Sequence, residues 1–200
     1  MHDPVGSTSW HNRHLAHFKR LDELLRAEGP GRPTIMLIGP GGVTRLAGML
    51  LNDAAANGSS AIRKLIGDAA RYSDQVLRRI PWMPLASLEP VELESVITVP
   101  HELVVVDHSR RILSAVRTQL PQAKCLLTDI SFQRPSVEAD VVIAFNVVCR
   151  LEDPGAGMAN IVAAVRPGGL LMMDDRSAEA HLWPLHRFTS IAPKIYRRDA

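Results

Sequence analysis

The chain is poor in the residues that mark several large protein classes. Aromatic residues make up 4% of its 200 positions, and cysteine occurs only twice. The two cysteines, Cys125 and Cys149, form no CxxC pair, which argues against a disulfide framework and against a cysteine-based zinc site. We expect both to be small apolar residues of the core. Because aromatic side chains are few, that core must consist mainly of Val, Leu, Ile, Ala and Met.

Long apolar runs and an excess of one charge are also missing. No apolar segment approaches the ~20 residues that a membrane-spanning helix needs. The N-terminal stretch "MHDPVGSTSWHNRH" lacks the apolar core of a secretory signal. The formal net charge of +2 is too small to indicate nucleic-acid binding by itself. We therefore expect a cytoplasmic protein that binds neither a membrane nor nucleic acid.

What the chain does contain is an alternation of apolar strands with amphipathic helices. "TIMLI" at 34–38 predicts a buried strand, followed by a glycine turn and a helix to about Ala56. From residue 103 onward, four apolar segments alternate with helical ones, and 188–198 predicts one or two short closing strands. The four are "LVVVD", "AKCLLTD", "ADVVIAFNVV" and "GGLLMMDD". Strands that are apolar throughout and separated by helices predict an α/β fold with a doubly wound, mostly parallel sheet and helices on both faces.

The length predicts one domain over residues 1–200, with two additions to the sheet. Residues 1–33 form an N-terminal helical cap, with an amphipathic helix over 10–28. Residues 57–100 form an insertion that combines a helix at 61–80 with "PWMPLASLEP", whose prolines exclude a regular helix. The insertion either buries a small core of its own or covers a ligand pocket. The residues proposed for such a lid are Trp82, Met83 and Trp10.

The glycine turn after the first strand indicates a site for part of a nucleotide. Gly39, Gly41 and Gly42 allow the backbone to turn sharply and to approach a ligand without a Cβ in the way. A dinucleotide fold requires Gly-x-Gly-x-x-Gly, but the third glycine is replaced here by Thr44. The partial match is weak by itself.

Three polar residues follow the next predicted strands, one at each carboxyl end: Asp107, Asp129 and Asn146. A carboxylate at the first position can accept hydrogen bonds from both hydroxyls of a ribose, and one at the second can accept from an adenine amino group. A single acid after a strand is more often a helix cap or a turn residue. Three such positions in register with a glycine turn favour a nucleotide site at the carboxyl edge of the sheet.

With these residues in place, the chain resembles the class I S-adenosylmethionine-dependent methyltransferases over residues 34–51 and 103–175. "IGPGG" resembles the family's glycine loop, "VVVDHS" the strand with its ribose acid, and "LTDIS" the segment beside adenine. "FNVVCRLEDP" and "VRPGGLLMMDD" resemble the two segments that follow. The position two places before the first glycine, usually acidic in the family, is Leu37 here. The resemblance implies cofactor contacts from Gly39, Pro40, Gly41, Gly42, Asp107, His108, Asp129, Ile130, Asn146 and Val147.

The resemblance also implies a Rossmann-like fold, S-adenosyl-L-methionine as cofactor, and methyl transfer to a small-molecule acceptor by in-line displacement. The sulfonium of this cofactor is already activated, so the protein needs mainly to align the acceptor and exclude water. The catalytic residues are unknown, and the weak candidates for a general base are His181, His186 and His101. We expect no metal, because the histidines of the first helix recur every third residue and not at the i, i+4 spacing of a helical zinc pair.

Other functions stay open at this point. A non-catalytic relative that binds a nucleotide or a partner protein is favoured by Leu37 and by the glycine spacing. An NAD-dependent oxidoreductase would fit the strand–turn pattern but lacks the third glycine and an evident hydride-transfer set. A nucleic-acid methyltransferase is not supported by the weak positive charge. A homodimer is a further candidate state.

Overall fold

The computed structural model describes residues 14–28, 31–40, 42–44, 85–173 and 188–200. The chain divides into two compact units. One comprises Met1–Glu23 and Gly41–Ile97, and the other comprises Leu24–Pro40 and Thr98–Ala200. The sequence-based division into cap, core and insertion stays a prediction.

The described residues contain nine strands and four α-helices, together with one short 3₁₀ helix at Val148–Arg150. The strands are β1 Thr34–Ile38, β2 Gly42–Thr44, β3 Leu85–Leu88, β4 Glu102–Asp107, β5 Lys124–Leu127, β6 Ala139–Ala144, β7 Val165–Met173, β8 Phe188–Ala192 and β9 Ile195–Arg198. The helices are α1 Leu15–Glu28, α2 Glu89–Glu94, α3 Arg110–Gln119 and α4 Pro154–Ala164.

The second unit is built on a seven-stranded sheet with the order β5-β4-β1-β6-β7-β9-β8. The first five strands of this order pair in parallel, and β9 pairs antiparallel with both β7 and β8. From β1 the chain builds outward to β4 and β5 on one side, and then to β6 and β7 on the other. This reversal places a topological switch point between β1 and β6, at the carboxyl ends of the strands. The predicted α/β fold and its Rossmann-like sheet are confirmed.

Apolar burial on the sheet explains why these segments form its centre. β1, β4 and β6 contribute side chains that are almost wholly buried, including Met36, Val106 and Val142. Met158 and Ile161 of α4 belong to the same apolar cluster. Strands that are covered in this way must be apolar along their length, which is the pattern seen in the sequence.

The helices that flank the sheet begin at side-chain caps. Ser109 Oγ accepts a 3.4 Å hydrogen bond from the Ile112 amide at the start of α3. Asp153 Oδ1 accepts a 2.9 Å hydrogen bond from the Ala156 amide at the start of α4, and Pro154 occupies the first turn, where a missing N–H costs nothing. These caps fix where each helix leaves the carboxyl edge of the sheet.

Close backbone approach at the start of β7 requires a glycine. A Cβ placed on Gly169 would lie 2.8 Å from the carbonyl oxygen of Asp140 and 2.9 Å from that of Arg166. Both neighbours are backbone atoms and cannot move aside as a flexible side chain would. Gly169 therefore allows β7 to run against β6, and the predicted fifth strand begins earlier than expected, at Val165.

The first unit contains the antiparallel pair β2–β3 and the helix α2. His14 and Glu89 are buried in this unit, with Nε2 and Oε1 3.5 Å apart. Within the described parts of the chain, no group of three or more His, Cys, Asp or Glu side chains is placed to hold a metal ion. Of the three histidines at every third position, His14 and His17 are among the described residues, and His11 lies outside them.

Four sequence predictions are corrected. Gly42–Thr44 form a strand, not the start of a helix, because β-branched Val43 and Thr44 pair with β3. The fourth predicted strand ends at Ala144, since Asn146 has a left-handed backbone with φ of 54° and a 3₁₀ helix follows. β5 is an edge strand that is only half covered, so Cys125 is half-buried and not a core residue. A short helix, α2, also begins within the proline-punctuated segment, at Glu89.

Candidate functional site

The carboxyl ends of the parallel strands bring several predicted site residues to one edge of the second unit. Gly39 directly follows β1, and its amide donates a 2.8 Å hydrogen bond to the carbonyl of Val106 in β4. Its φ of +61° lies in the left-handed region, which glycine adopts without a steric penalty. Pro40, the next residue, is buried. The first predicted glycine therefore forms a tight turn at the switch point.

The segment after β6 packs directly against this turn. A Cβ on Gly39 would lie 2.9 Å from Cγ2 of Val147, which leaves no room for a larger residue. Asn146, beside Val147, is one of two non-glycine residues with positive φ in the described chain. Asparagine tolerates this conformation better than most side chains do. Gly39, Asn146 and Val147 are thus neighbours in the fold although they lie far apart in the sequence.

Asp107 is the buried acid of the site. It ends β4 and is only 8% exposed. Its Oδ1 accepts a 2.6 Å hydrogen bond from the amide of Ser109, which is the cap residue of α3. The exposed ring of His108 lies beside it, with Nδ1 3.7 Å from Oδ1. A carboxylate fixed by a backbone amide at a strand end is a suitable acceptor for ligand hydroxyl groups.

Asp129 lies in the next loop, one strand further out. The amide of Thr128 donates a 3.0 Å hydrogen bond to the carbonyl of Asp107, which joins the two strand ends. The carboxylate of Asp129 accepts a 3.0 Å hydrogen bond from the Ser131 amide, and its backbone carbonyl accepts from Phe132 and Gln133. Asp129 itself is exposed. The loop after β5 is therefore a compact turn with its acid facing solvent.

Apolar surface next to Asp129 was not predicted from the sequence. Among the described residues, three large apolar side chains are strongly exposed, and two of them, Leu127 (49%) and Phe132 (75%), flank Asp129. Ile130, between them, is buried. The signal in the sequence was one aromatic residue inside the polar phrase "TDISFQRP" of a chain with few aromatics. Exposed apolar side chains beside an acid suit a flat ring that carries an amino group.

One candidate, His101, is not brought to this edge. His101 precedes β4, at the end of the strand opposite to Asp107, and its Nδ1 lies 2.8 Å from the carbonyl oxygen of Val99. Gly42 belongs to the other compact unit. The remaining candidates lie outside the described residues: Gly41, Trp10, Trp82, Met83, His181 and His186.

The arrangement is suited to binding. Two carboxylates at neighbouring strand ends can accept hydrogen bonds from hydroxyl and amino groups, and the tight turn at Gly39 exposes backbone at the switch point. Such an edge fits a nucleoside, with its sugar near the buried acid and its base near the exposed one. Within the described residues, no helix is long and apolar enough to cross a lipid bilayer.

Comparison with protein families supports the resemblance seen in the sequence. Residues 91–173 match the family model described as a methyltransferase domain. The matched range contains Asp107, Asp129 and Asn146. The comparison with curated proteins returned no relative.

Comparison with solved structures returned several chains that are described as methyltransferases. The N-methyltransferase NodS from Bradyrhizobium japonicum WM9, in complex with S-adenosyl-L-homocysteine, is 14% identical, with coverage of 99% of this chain and 89% of that chain and a TM-score of 0.48. Magnesium protoporphyrin IX methyltransferase from Synechocystis PCC 6803, with bound SAM, is 11% identical, with coverage of 98% and 82% and a TM-score of 0.49. The amino pentose methyltransferase CalS10 from Micromonospora echinaspora, with bound SAM, is 16% identical, with coverage of 85% and 52% and a TM-score of 0.44.

Proposed function

We propose that the chain is a class I S-adenosylmethionine-dependent methyltransferase that transfers a methyl group from S-adenosyl-L-methionine to a small-molecule acceptor, and the match of residues 91–173 to a methyltransferase-domain model supports this proposal. The observation that carries the proposal is the left-handed turn at Gly39, which lies at the switch point between Val106 and Val147. The buried carboxylate of Asp107 ends the strand next to this turn.

Each described residue of the site has a proposed role in holding the cofactor. Asp107 accepts hydrogen bonds from the ribose hydroxyls, and Asp129 accepts from the adenine amino group. Apolar side chains from the loops beside them contact the two faces of the base. The turn at Gly39, which packs against Val147, is assigned the backbone contact with the rest of the cofactor. The supporting residues are Pro40, His108, Ile130, Asn146 and Val147, while Gly41 and Gly42 stay sequence predictions.

The mechanism that follows needs little chemistry from the protein. When bound, the cofactor supplies a methyl group on a positively charged sulfur, which is ready for displacement. The described residues hold the nucleoside part at the carboxyl edge of the sheet, and this alignment lets an acceptor attack in line with the carbon–sulfur bond. Exclusion of water from the site protects the reaction. His101 is not placed to act as a general base, because it lies at the opposite end of β4 from Asp107, and the candidates His181 and His186 lie outside the described residues.

A small-molecule acceptor is favoured over nucleic acid by charge. The formal net charge is +2, with 23 basic and 21 acidic residues, and this balance lacks the excess of positive charge that a phosphate backbone requires. The roles of Trp82, Met83 and Trp10 as a lid, a homodimeric state and a cytoplasmic location remain parts of the proposal.

Isothermal titration with S-adenosylhomocysteine tests the proposal. We expect binding by the wild-type chain, and a loss of about 1.5–3 kcal/mol of binding free energy in Asp107→Ala, because the change removes hydrogen bonds to a charged group. Ser109→Ala is the matched control, since it removes the cap oxygen of α3 but keeps the carboxylate. No heat from the wild-type chain at millimolar ligand would contradict the proposal.

The two rival functions are distinguished by the same titration and by an assay of methyl transfer. An NAD-dependent oxidoreductase would bind NAD more tightly than S-adenosylhomocysteine. A non-catalytic module would bind S-adenosylhomocysteine but transfer no labelled methyl group from S-adenosylmethionine to any compound of a small-molecule extract.

A further inference from the structure

Asn160 of α4 reaches across to the loop that carries Asp129. Its side-chain Nδ2 donates a 2.9 Å hydrogen bond to the backbone carbonyl of Ile130, thirty residues earlier in the chain. Asn160 is half-buried, and the side chain of Ile130 is buried in the same apolar cluster as Met158 and Ile161. Helix α4 therefore holds Ile130 by both its side chain and its carbonyl oxygen.

The carbonyl that Asn160 binds belongs to the peptide group that also orients Asp129. The Ile130 carbonyl and the Ser131 amide are the two ends of one planar peptide unit. The Ser131 amide donates a 3.0 Å hydrogen bond to Oδ1 of Asp129. If the plane of this peptide rotated, the amide would turn away and the carboxylate would lose its anchor. Asn160 and Asp129 thus form hydrogen bonds with opposite ends of the same peptide unit.

The other hydrogen bonds of the loop do not fix this peptide plane. The amides of Phe132 and Gln133 both donate to the carbonyl of Asp129, at 3.1 and 2.9 Å, and so close the turn without involving the Ile130 carbonyl. The Asn160 amide is the described contact that ties this carbonyl to a regular element.

We propose that Asn160 is a positioning residue for the nucleoside part of the cofactor: it locks the Ile130–Ser131 peptide and thereby sets the Asp129 carboxylate before the ligand binds. The inference rests on the proposed function, because it assigns Asn160 to the same site. Preorganisation of this kind lowers the cost of ordering a loop upon binding.

Three variants separate the hydrogen bond from shape and charge. Asn160→Ala removes the side-chain amide, and Asn160→Asp keeps the shape but replaces the donor with an acceptor that repels the carbonyl. Ala159→Asp is the matched control, because it places the same negative charge on an exposed position of the same helix. Amide exchange by NMR, thermal unfolding and titration with S-adenosylhomocysteine are measured for all three and for the wild type.

We expect exchange of the Ser131 amide and the Kd for S-adenosylhomocysteine each to rise about tenfold in both Asn160 variants, as the loss of one half-buried hydrogen bond predicts. Ala159→Asp should leave both unchanged, and the Tm of the Asn160 variants should fall by only about 3–6 °C, which is the effect of one lost hydrogen bond on the fold. Kd values within twofold of wild type, unchanged exchange at Ser131, or a much larger fall in Tm would each overturn the assignment. If the wild type itself fails to bind, the proposed function is wrong and the role of Asn160 in it falls too; binding by the wild type with unchanged variants refutes only the role of Asn160.

Discussion

At the scale of single residues, position 39 of the described site requires a glycine. Its left-handed backbone disfavours a side chain, and Val147 leaves no room for one, because its Cγ2 lies 2.9 Å from the position that a Cβ would occupy. We predict that Gly39→Ala lowers the free energy of unfolding by at least about 1–2 kcal/mol, which is the cost of the left-handed conformation for an L-residue. The displacement of Val147 adds to this cost. Urea denaturation measures the loss.

Gly31→Ala is the control for this change. No heavy atom lies within 4 Å of a Cβ at Gly31, and its φ is not in the left-handed region. The same substitution should therefore leave stability unchanged or raise it slightly by restricting the unfolded chain. Equal unfolding free energies for the two variants would contradict the packing described at the switch point.

Residues differ in how far the sequence reveals them. Gly39 and Asp107 were identified from short patterns, because a turn and a strand end are local features. The contact of Val147 with Gly39 and the reach of Asn160 to Ile130 join segments far apart in the chain. No local pattern records such contacts, and only the arrangement of strands and helices brings them together.

At the scale of elements, the edge strand β5 is only partly covered, whereas its neighbour β4 is buried along most of its length. Cys125 in β5 is half-buried, with Sγ 3.8 Å from the Ala123 carbonyl and 3.9 Å from the Leu113 carbonyl. Burial raises the pKa of the Cys125 thiol above its usual value, and the Arg117 guanidinium partly opposes this effect. The thiol therefore stays protonated at neutral pH in the folded protein.

We predict that Cys125 reacts with iodoacetamide about tenfold more slowly in the folded protein than in urea at pH 7.5, because the thiolate is the reactive form. The rate should rise with pH, with a midpoint above that of the unfolded chain. Peptide mapping by mass spectrometry assigns the modified cysteine. Arg117→Ala should slow the reaction further, since it removes the charge that lowers the pKa of the thiol.

Arg110→Ala, at an exposed position of the same helix, is the control for Arg117→Ala and should not change the rate. Faster modification of Cys125 in Arg117→Ala than in wild type would contradict this prediction. It would mean that the hydrogen bond from Arg117 to the Cys125 carbonyl protects the strand edge, and that this protection outweighs the effect of the Arg117 charge on the thiol.

The predictions of elements were correct where the apolar pattern was long. They were wrong where pairing with a distant segment determined the secondary structure. The strands of the parallel sheet follow directly from their apolar runs. Gly42–Thr44 resembled the start of a helix because glycine turns often precede helices, yet pairing with Leu85–Leu88, some forty residues later, makes it a strand. The end of β6 was set two residues before Asn146, by a backbone conformation that the apolar run "VVIAFNVV" does not indicate.

At the scale of the whole molecule, the length of the strands separates residues at the carboxyl edge of the sheet from residues at its amino edge. The described site residues of the second unit follow the carboxyl ends of β1, β4, β5 and β6, whereas His101 and Thr34 lie at the amino ends of their strands. A strand of six residues is about 20 Å long. A ligand held at one edge therefore leaves the other edge untouched.

We predict that S-adenosylhomocysteine slows hydrogen exchange in the segments 105–109, 128–133 and 144–148, and leaves 99–102 and 195–198 unchanged. The physical reason is that only the first three segments surround the carboxyl edge at the switch point. Mass spectrometry of peptides after exchange gives the measurement. Protection confined to the amino edge of the sheet would place the cofactor elsewhere and would contradict the assigned roles of Asp107 and Asp129.

The architecture of the whole was more predictable than its subdivision. Alternating strands and helices define the doubly wound sheet, because right-handed crossovers leave few other arrangements. The division into two compact units was not indicated by the composition of the chain.

Gly169 also changes how the phrase "VRPGGLLMMDD" should be interpreted. This phrase contributed strongly to the family resemblance, yet its glycine is required by the main-chain oxygens of Asp140 and Arg166. Selection for folding alone would preserve it. A match to this phrase alone therefore indicates the fold, and cofactor binding has to be judged from the residues of the carboxyl edge.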